Sequence, residues 1–112
     1  MPLPQGFAVE VSELDDGTVR IELRGELDMS AAPGLSEAMA KTGGEVTVVL
    51  DLSGVTFLDS SAIAALVAAG RNIREGGGRL QIGPRSEIVA RVLEITGLDE
   101  PSEAFDILPE GS

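Results

Sequence analysis

The apolar run Val46-Thr47-Val48-Val49-Leu50 limits the fold of this chain more than any other feature, because four β-branched residues follow one another in it. A half-buried strand alternates apolar and polar side chains, whereas a near-continuous apolar run is typical of a strand that is covered on both faces. The run therefore predicts a central strand of an α/β sheet. We expect this strand to end at Asp51 and a loop with Val55 and Phe57 to follow it.

The segment before this run has the pattern of a β-hairpin. Apolar residues alternate with polar ones in two runs, at Phe7, Val9 and Val11 and again at Val19, Ile21 and Leu23. Period-2 alternation indicates half-buried strands, and Asp15-Asp16-Gly17 between the runs is typical of a tight turn. The second strand is expected to close at Gly25-Glu26-Leu27-Asp28.

Helical spacing predicts helices between the remaining strands. The first is expected from Ser30 to Gly43-Gly44, the second from about 59–61 to Arg74, and the third from the capping Ser86 to Gly97. Short strands are predicted at Leu80 to Ile82 and at Phe105 to Leu108. This order predicts a single α/β domain over residues 1–112, with an ordered core of about 7–108 and a mixed β-sheet of four to five strands with helices packed on it.

Composition removes several classes of function. The chain has 112 residues, no cysteine, no histidine and a net charge of −11. Without cysteine and histidine it lacks thiolate nucleophiles, the usual general base near pH 7 and the commonest zinc ligands, so we expect no enzyme, no metal and no cofactor. The negative charge disfavours nucleic acid. No run approaches the ~18 to 20 apolar residues of a membrane span and no signal peptide is visible, which predicts a cytoplasmic protein without membrane insertion.

Small polar residues cluster where the predicted strands end. Asp51 ends the central strand, Asp59, Ser60 and Ser61 begin the second helix, and Asp28 closes the hairpin. Loops at the carboxyl ends of central strands are where open α/β sheets bind ligands and partners. A phosphate on a serine at a helix N-terminus lies near exposed N–H groups, so Ser60 is a chemically sensible phosphoacceptor. The alternative is that these residues only cap the helix.

Two further patterns leave alternatives open. On the second helix, Ala62, Ala65 and Ala69 share one face, which is either a flat docking surface beside Ser60 or only a sign that alanine favours helices. Three aspartates, Asp28, Asp51 and Asp59, are either a magnesium cluster or separate polar residues, of which Asp59 orients the turn.

Three segments resemble the STAS domain family, and the anti-sigma factor antagonists in particular. They are Gly25-Glu26-Leu27-Asp28 at the end of the hairpin, the central strand with its loop and Asp-Ser-Ser turn from Val48 to Ser61, and Leu93-Glu94-Ile95-Thr96-Gly97-Leu98 at the end of the third helix. The match spans about residues 7–108. The chain departs from the family at Ala62, where members usually have glycine, and after the last strand, where members commonly add a helix that we expect here to be shortened or replaced by a partner.

The resemblance implies a partner-switching protein. Unphosphorylated, such a protein binds an anti-sigma factor serine kinase and frees a sigma factor; phosphorylation of the first serine after the aspartate, here Ser60, breaks the complex. A PP2C-type phosphatase resets it. The expected partner-binding residues are Asp28, Asp59, Ser61, Ala62, Ala65 and Ala69. The alternative function is a STAS scaffold that is never phosphorylated, as a subunit of a transporter or a stress-sensing complex; a small phosphohydrolase is disfavoured because the chain lacks a base.

Overall fold

The structure is a computed structural model that describes residues 7–29, 33–34, 37, 45–99 and 104–109. Over these residues the chain forms the strands β1 (Phe7–Glu13), β2 (Val19–Leu27), β3 (Thr47–Leu58), β4 (Arg79–Arg85) and β5 (Asp106–Ile107), and the helices α1 (Ser60–Glu75) and α2 (Glu87–Thr96). Of the predicted first helix, Pro33, Gly34 and Glu37 are helical, and the rest lies outside the described residues.

The strands form one mixed sheet in the order β1-β2-β3-β4-β5. Strand β1 runs antiparallel to β2, and the hairpin turn uses Gly17 at a φ of 86°, a conformation that favours glycine. The pairs β2–β3, β3–β4 and β4–β5 are all parallel. The predictions of an opening hairpin, a central strand and a mixed α/β sheet are therefore confirmed.

Strand β3 is longer than predicted, and the expectation that it ends at Asp51 before a loop is wrong. Its pairing with β2 continues to Leu58, opposite Leu27. Two register shifts in this ladder, between Glu22 and Arg24 and between Gly25 and Glu26, each accommodate an extra residue of β3. Such bulges let polar and glycine residues interrupt the apolar pattern without ending the strand.

The core lies between one face of the sheet and the helices. Alternate residues of β2, β3 and β4 are buried with one side of each helix; the largest fully buried side chains include Ile21, Leu23, Leu27, Leu50, Leu52, Leu66, Leu80, Ile82 and Leu93. Helix α1 buries a stripe of Ala62, Leu66, Ala69, Gly70 and Ile73, and α2 buries Val89 and Leu93. Each leucine or isoleucine buried in this way stabilises the fold by about 1.5–3 kcal/mol relative to full exposure.

Capping residues define both helices. The Ser86 hydroxyl accepts a hydrogen bond from the Val89 amide and begins α2, and Gly97 ends it in the left-handed conformation with a φ of 75°, as predicted. Helix α1 ends at Glu75 before Gly76, one residue beyond the predicted end. The last strand is shorter than predicted, because only Asp106–Ile107 pairs with β4. Phe105 is buried just before it, and the Leu108 amide just after it donates a 2.9 Å hydrogen bond to the Ile82 carbonyl oxygen.

Candidate functional site

The candidate site lies at the carboxyl ends of β2 and β3. The last residues of these strands, Leu27 and Leu58, lie opposite each other in the parallel ladder. Just beyond the end of β3, the Asp59 amide donates a 3.1 Å hydrogen bond to the Leu27 carbonyl oxygen, which continues the link between the two strands by one residue. Asp28, next to Leu27, and Asp59 are therefore held close together at one edge of the sheet.

Asp59, and not a serine, is the N-cap of α1. Its backbone is extended (φ −104°, ψ 179°), its Oδ1 accepts a 2.9 Å hydrogen bond from the Ala62 amide, and its carbonyl accepts one of 3.1 Å from the Ile63 amide. An aspartate cap satisfies a free amide and places its negative charge at the positive end of the helix dipole. The capping interpretation is thus correct for Asp59, and it leaves the serine hydroxyls without this role.

Ser60 is the first residue of α1, and it is exposed, whereas Ser61 is half-buried. Ser60 directly follows Asp59, whose carboxylate is held in place by its hydrogen bond from the Ala62 amide. Of the two serines, Ser60 is more open to an enzyme that transfers a phosphoryl group.

The alanine face of α1 is oriented differently from the prediction. Ala62 is fully buried at 0% exposure and Ala69 is buried as well, so both alanines pack into the core and do not form an exposed surface. Ala65 is half-buried and packs against the core, and the exposed alanines are Ala64 and Ala68. Leu66 and Ile73 set this orientation, because a helix that buries them also buries the residues four positions before each.

Ala62 stands where members of the family usually have glycine, and its methyl group is buried. It lies beneath the first turn of α1, whereas the Ser60 hydroxyl is on the solvent side. The alanine side chain therefore does not cover the candidate phosphoacceptor.

Asp51 does not belong to the candidate site, which corrects the expectation that it lies there. It sits within β3, only 5% exposed, where it accepts hydrogen bonds from the Arg20 guanidinium, the Ser53 amide (3.0 Å) and the Ser53 hydroxyl (2.6 Å). Burial of the carboxylate raises the pKa of Asp51, but the hydrogen bonds from Ser53 and the charge of Arg20 outweigh it, so the pKa is lowered overall. Asp51 is a structural ion-pair residue between β2 and β3.

Because Asp51 lies within β3, it is separate from Asp28 and Asp59, which follow the carboxyl ends of β2 and β3. Within the described part of the chain, no group of three or more carboxylates is placed to hold a metal ion. In the same residues, no helix has the length and apolar character needed to cross a bilayer.

Two large apolar side chains at the site were not predicted as functional residues. Met29 is 73% exposed just after β2, and Phe57, which the sequence placed in a loop, is 46% exposed near the end of β3. In sequence patterns an isolated phenylalanine or methionine is typical of the core, so only the fold reveals that these two are on the surface.

Comparison with known proteins agrees with this architecture. The family model described as "Mlab, STAS domain" matches residues 11–109. The chain is 30% identical over 103 residues to the anti-sigma-B factor antagonist of Listeria monocytogenes, and the match covers 90% of each chain. A crystal structure of an anti-sigma factor antagonist from Mycobacterium paratuberculosis is similar with a TM-score of 0.76 and 27% identity, over 99% of this chain and 92% of that one.

Two structures of SpoIIAA, an anti-sigma factor antagonist, share the fold. The unphosphorylated form has a TM-score of 0.72 at 24% identity, over 92% of this chain and 90% of that one. The phosphorylated form, from Bacillus, has a TM-score of 0.60 at 23% identity, over 92% of this chain and 93% of that one.

Fold and site together define a small α/β domain in which an aspartate-capped helix presents a serine at the carboxyl edge of a mixed sheet. The family model matches residues 11–109, which is nearly the whole chain, and the chain therefore belongs to the STAS domain family. Its resemblance to the anti-sigma factor antagonists is confirmed by the relatives and structures that bear that name.

Proposed function

We propose that this chain is an anti-sigma factor antagonist that regulates transcription by binding an anti-sigma factor and so releasing a sigma factor. Membership of the STAS family supports this function, as does the 30% identity with the Listeria monocytogenes anti-sigma-B factor antagonist over 90% of both chains. The chain acts as a binding protein, and the chemistry belongs to its partners.

The proposed switch is phosphorylation of Ser60, and one observation carries it: Ser60 is exposed and directly follows Asp59, whose carboxylate caps the helix. A phosphoserine adds about −1.5 to −2 charges at pH 7. Asp59 cannot turn away from this charge without giving up its hydrogen bond to Ala62, so the repulsion and the cost of desolvation both fall on a partner interface that covers Ser60. Each ~1.4 kcal/mol of this penalty weakens binding tenfold.

The proposed partners follow from this switch. An anti-sigma factor serine kinase binds the unphosphorylated chain and transfers phosphate to Ser60, and a PP2C-type phosphatase removes it. Asp28, Asp59, Ser61 and Ala65 are the proposed binding residues that reach the surface at least in part. Ala62 and Ala69 support this surface from the core. Because the kinase uses ATP, the proposed location is the cytoplasm.

The intact mass of the chain after incubation with ATP and each anti-sigma factor kinase of the source organism tests this function. We expect one kinase to add a single phosphate to the wild-type chain and to Ser61→Ala, and none to Ser60→Ala. Phosphate on Ser60→Ala but not on Ser61→Ala would move the switch to Ser61. No phosphate with any kinase, together with stable co-purification of a partner that is not a kinase, would favour the scaffold hypothesis instead.

A further inference from the structure

Two large apolar side chains, Met29 and Phe57, are exposed in the segments at the carboxyl ends of β2 and β3. The large apolar residues that are exposed in the described part of the chain are Val11, Leu14, Met29, Phe57, Ile88 and Ile95. Of these, only Met29 and Phe57 are next to the segments that carry Asp28 and Asp59. Single exposed apolar side chains are ordinary on a protein surface, but two that lie at the strand ends of a proposed binding site are candidates for contact with a partner.

The sheet holds Phe57 in a defined position, and Met29 lies in the turn two residues after the end of β2. Phe57 lies opposite Glu26 in the β2–β3 ladder, and Leu58 lies opposite Leu27. The hydrogen bond from the Asp59 amide to the Leu27 carbonyl fixes the chain just beyond them, where Met29 follows. Because Phe57 is already held in a strand before binding, it loses little conformational entropy in the complex.

The surroundings of these two residues are acidic. Glu26 is exposed opposite Phe57, and Asp28 and Asp59 follow the ends of the same two strands. The whole chain carries a net charge of −11. A partner that fits this surface has an apolar pocket with a rim of lysine and arginine.

We infer that Phe57 and Met29 are the apolar anchors through which the chain docks its anti-sigma factor, with their side chains in an apolar pocket of the partner and the surrounding carboxylates against a basic rim. This inference rests on the proposed function and adds the residues that supply the binding energy. Large apolar and aromatic side chains at the centre of an interface carry most of its affinity. The phosphate at Ser60 then breaks a complex that Phe57 and Met29 hold together.

The test measures the dissociation constant of the kinase that phosphorylates the wild-type chain, for Phe57→Thr and Met29→Gln. Threonine suits a strand, and glutamine keeps the length of methionine while removing its apolar character. We expect Phe57→Thr to weaken binding at least about tenfold and Met29→Gln about threefold or more. The loss is expected to be similar at low and high salt, because apolar contacts are not screened, while the affinity of every variant falls as salt rises.

Ile95→Gln is the matched control. Ile95 is the most exposed of these apolar residues at 77%. It lies near the C-terminal end of α2, toward the amino ends of the parallel strands, whereas Ser60 lies at their carboxyl ends. It should bind like the wild type, and all variants should keep the wild-type melting temperature within a few degrees. If Phe57→Thr and Met29→Gln bind like the wild type while Ser60→Asp does not, the anchors are wrong and the proposed function stands. If the wild-type chain binds no such kinase, the proposed function fails and the anchors with it.

Discussion

Gly70 of α1 packs directly against the backbone of Ala104. A methyl group built on Gly70 would overlap the Ala104 carbonyl oxygen and would lie 2.7 Å from its carbonyl carbon. The chain that leads into β5 thus lies against the helix with no side chain between them. This contact positions the segment just before β5, which pairs with β4 at the edge of the sheet.

We therefore predict that Gly70→Ala destabilises the fold, although alanine favours a helix over glycine by about 0.8–1.0 kcal/mol. The overlap is with backbone, which cannot move aside as a side chain can, and overpacking of this kind costs about 1–3 kcal/mol. Urea unfolding measures the change. Ala68→Ser on the exposed face of α1 is the control and should stay within about 0.5 kcal/mol of the wild type. A more stable Gly70→Ala variant would show that the contact is not tight.

The buried carboxylate of Asp51 predicts a pH-dependent loss of stability. At pH 7, Asp51→Asn should cost about 1–3 kcal/mol, because it removes a charge that Arg20 and Ser53 stabilise. The pKa of Asp51 is lowered in the folded state, so its contribution is present above the ordinary carboxyl pKa and is lost as the pH falls through the folded value. The difference between variant and wild type should therefore shrink as the pH falls below ~4.

Unfolding experiments at pH 7 and at low pH on both proteins check this dependence. Asp106→Asn is a suitable comparison, because Asp106 forms a more exposed ion pair with Arg79 (2.5 Å) and should cost only about 0–1 kcal/mol. An Asp51→Asn penalty that is the same at both pH values would contradict an ionised Asp51.

The cap of α1 predicts that the loss of stability on replacing Asp59 depends on whether the new side chain can accept a hydrogen bond. Asp59→Ala should destabilise the fold by about 0.5–2 kcal/mol, because the Ala62 amide loses its acceptor, whereas Asp59→Ser keeps an acceptor and should lose much less. Thermal unfolding of the two variants measures the difference. Equal melting temperatures would mean that water replaces the cap without cost.

Local sequence patterns were sufficient to predict most of the strands and helices. Alternation predicted the hairpin, the run from Val46 to Leu50 predicted the central strand, and the capping residues Ser86 and Gly97 predicted the bounds of α2. These features depend on neighbouring residues, which is why they can be recognised in a single sequence.

Contacts between distant residues account for what was missed. Asp51 pairs with Arg20, 31 positions away, and no local pattern connects them. The bulges that extend β3 depend on its register with β2. On α1, alanines occur on several sides of the helix, so only the packing of α1 on the sheet shows that Ala62 is buried and Ala64 is exposed.

The dissociation constants of Ser60→Asp and Ser60→Ala for the anti-sigma factor kinase test the central proposal most directly. Aspartate places one negative charge beside Asp59, whereas alanine removes only the hydroxyl from an exposed position. We predict that Ser60→Ala binds within about twofold of the wild type and that Ser60→Asp binds at least about tenfold more weakly, a difference of ~1.4 kcal/mol. Equal affinities for the two variants would contradict a switch that acts through charge at Ser60.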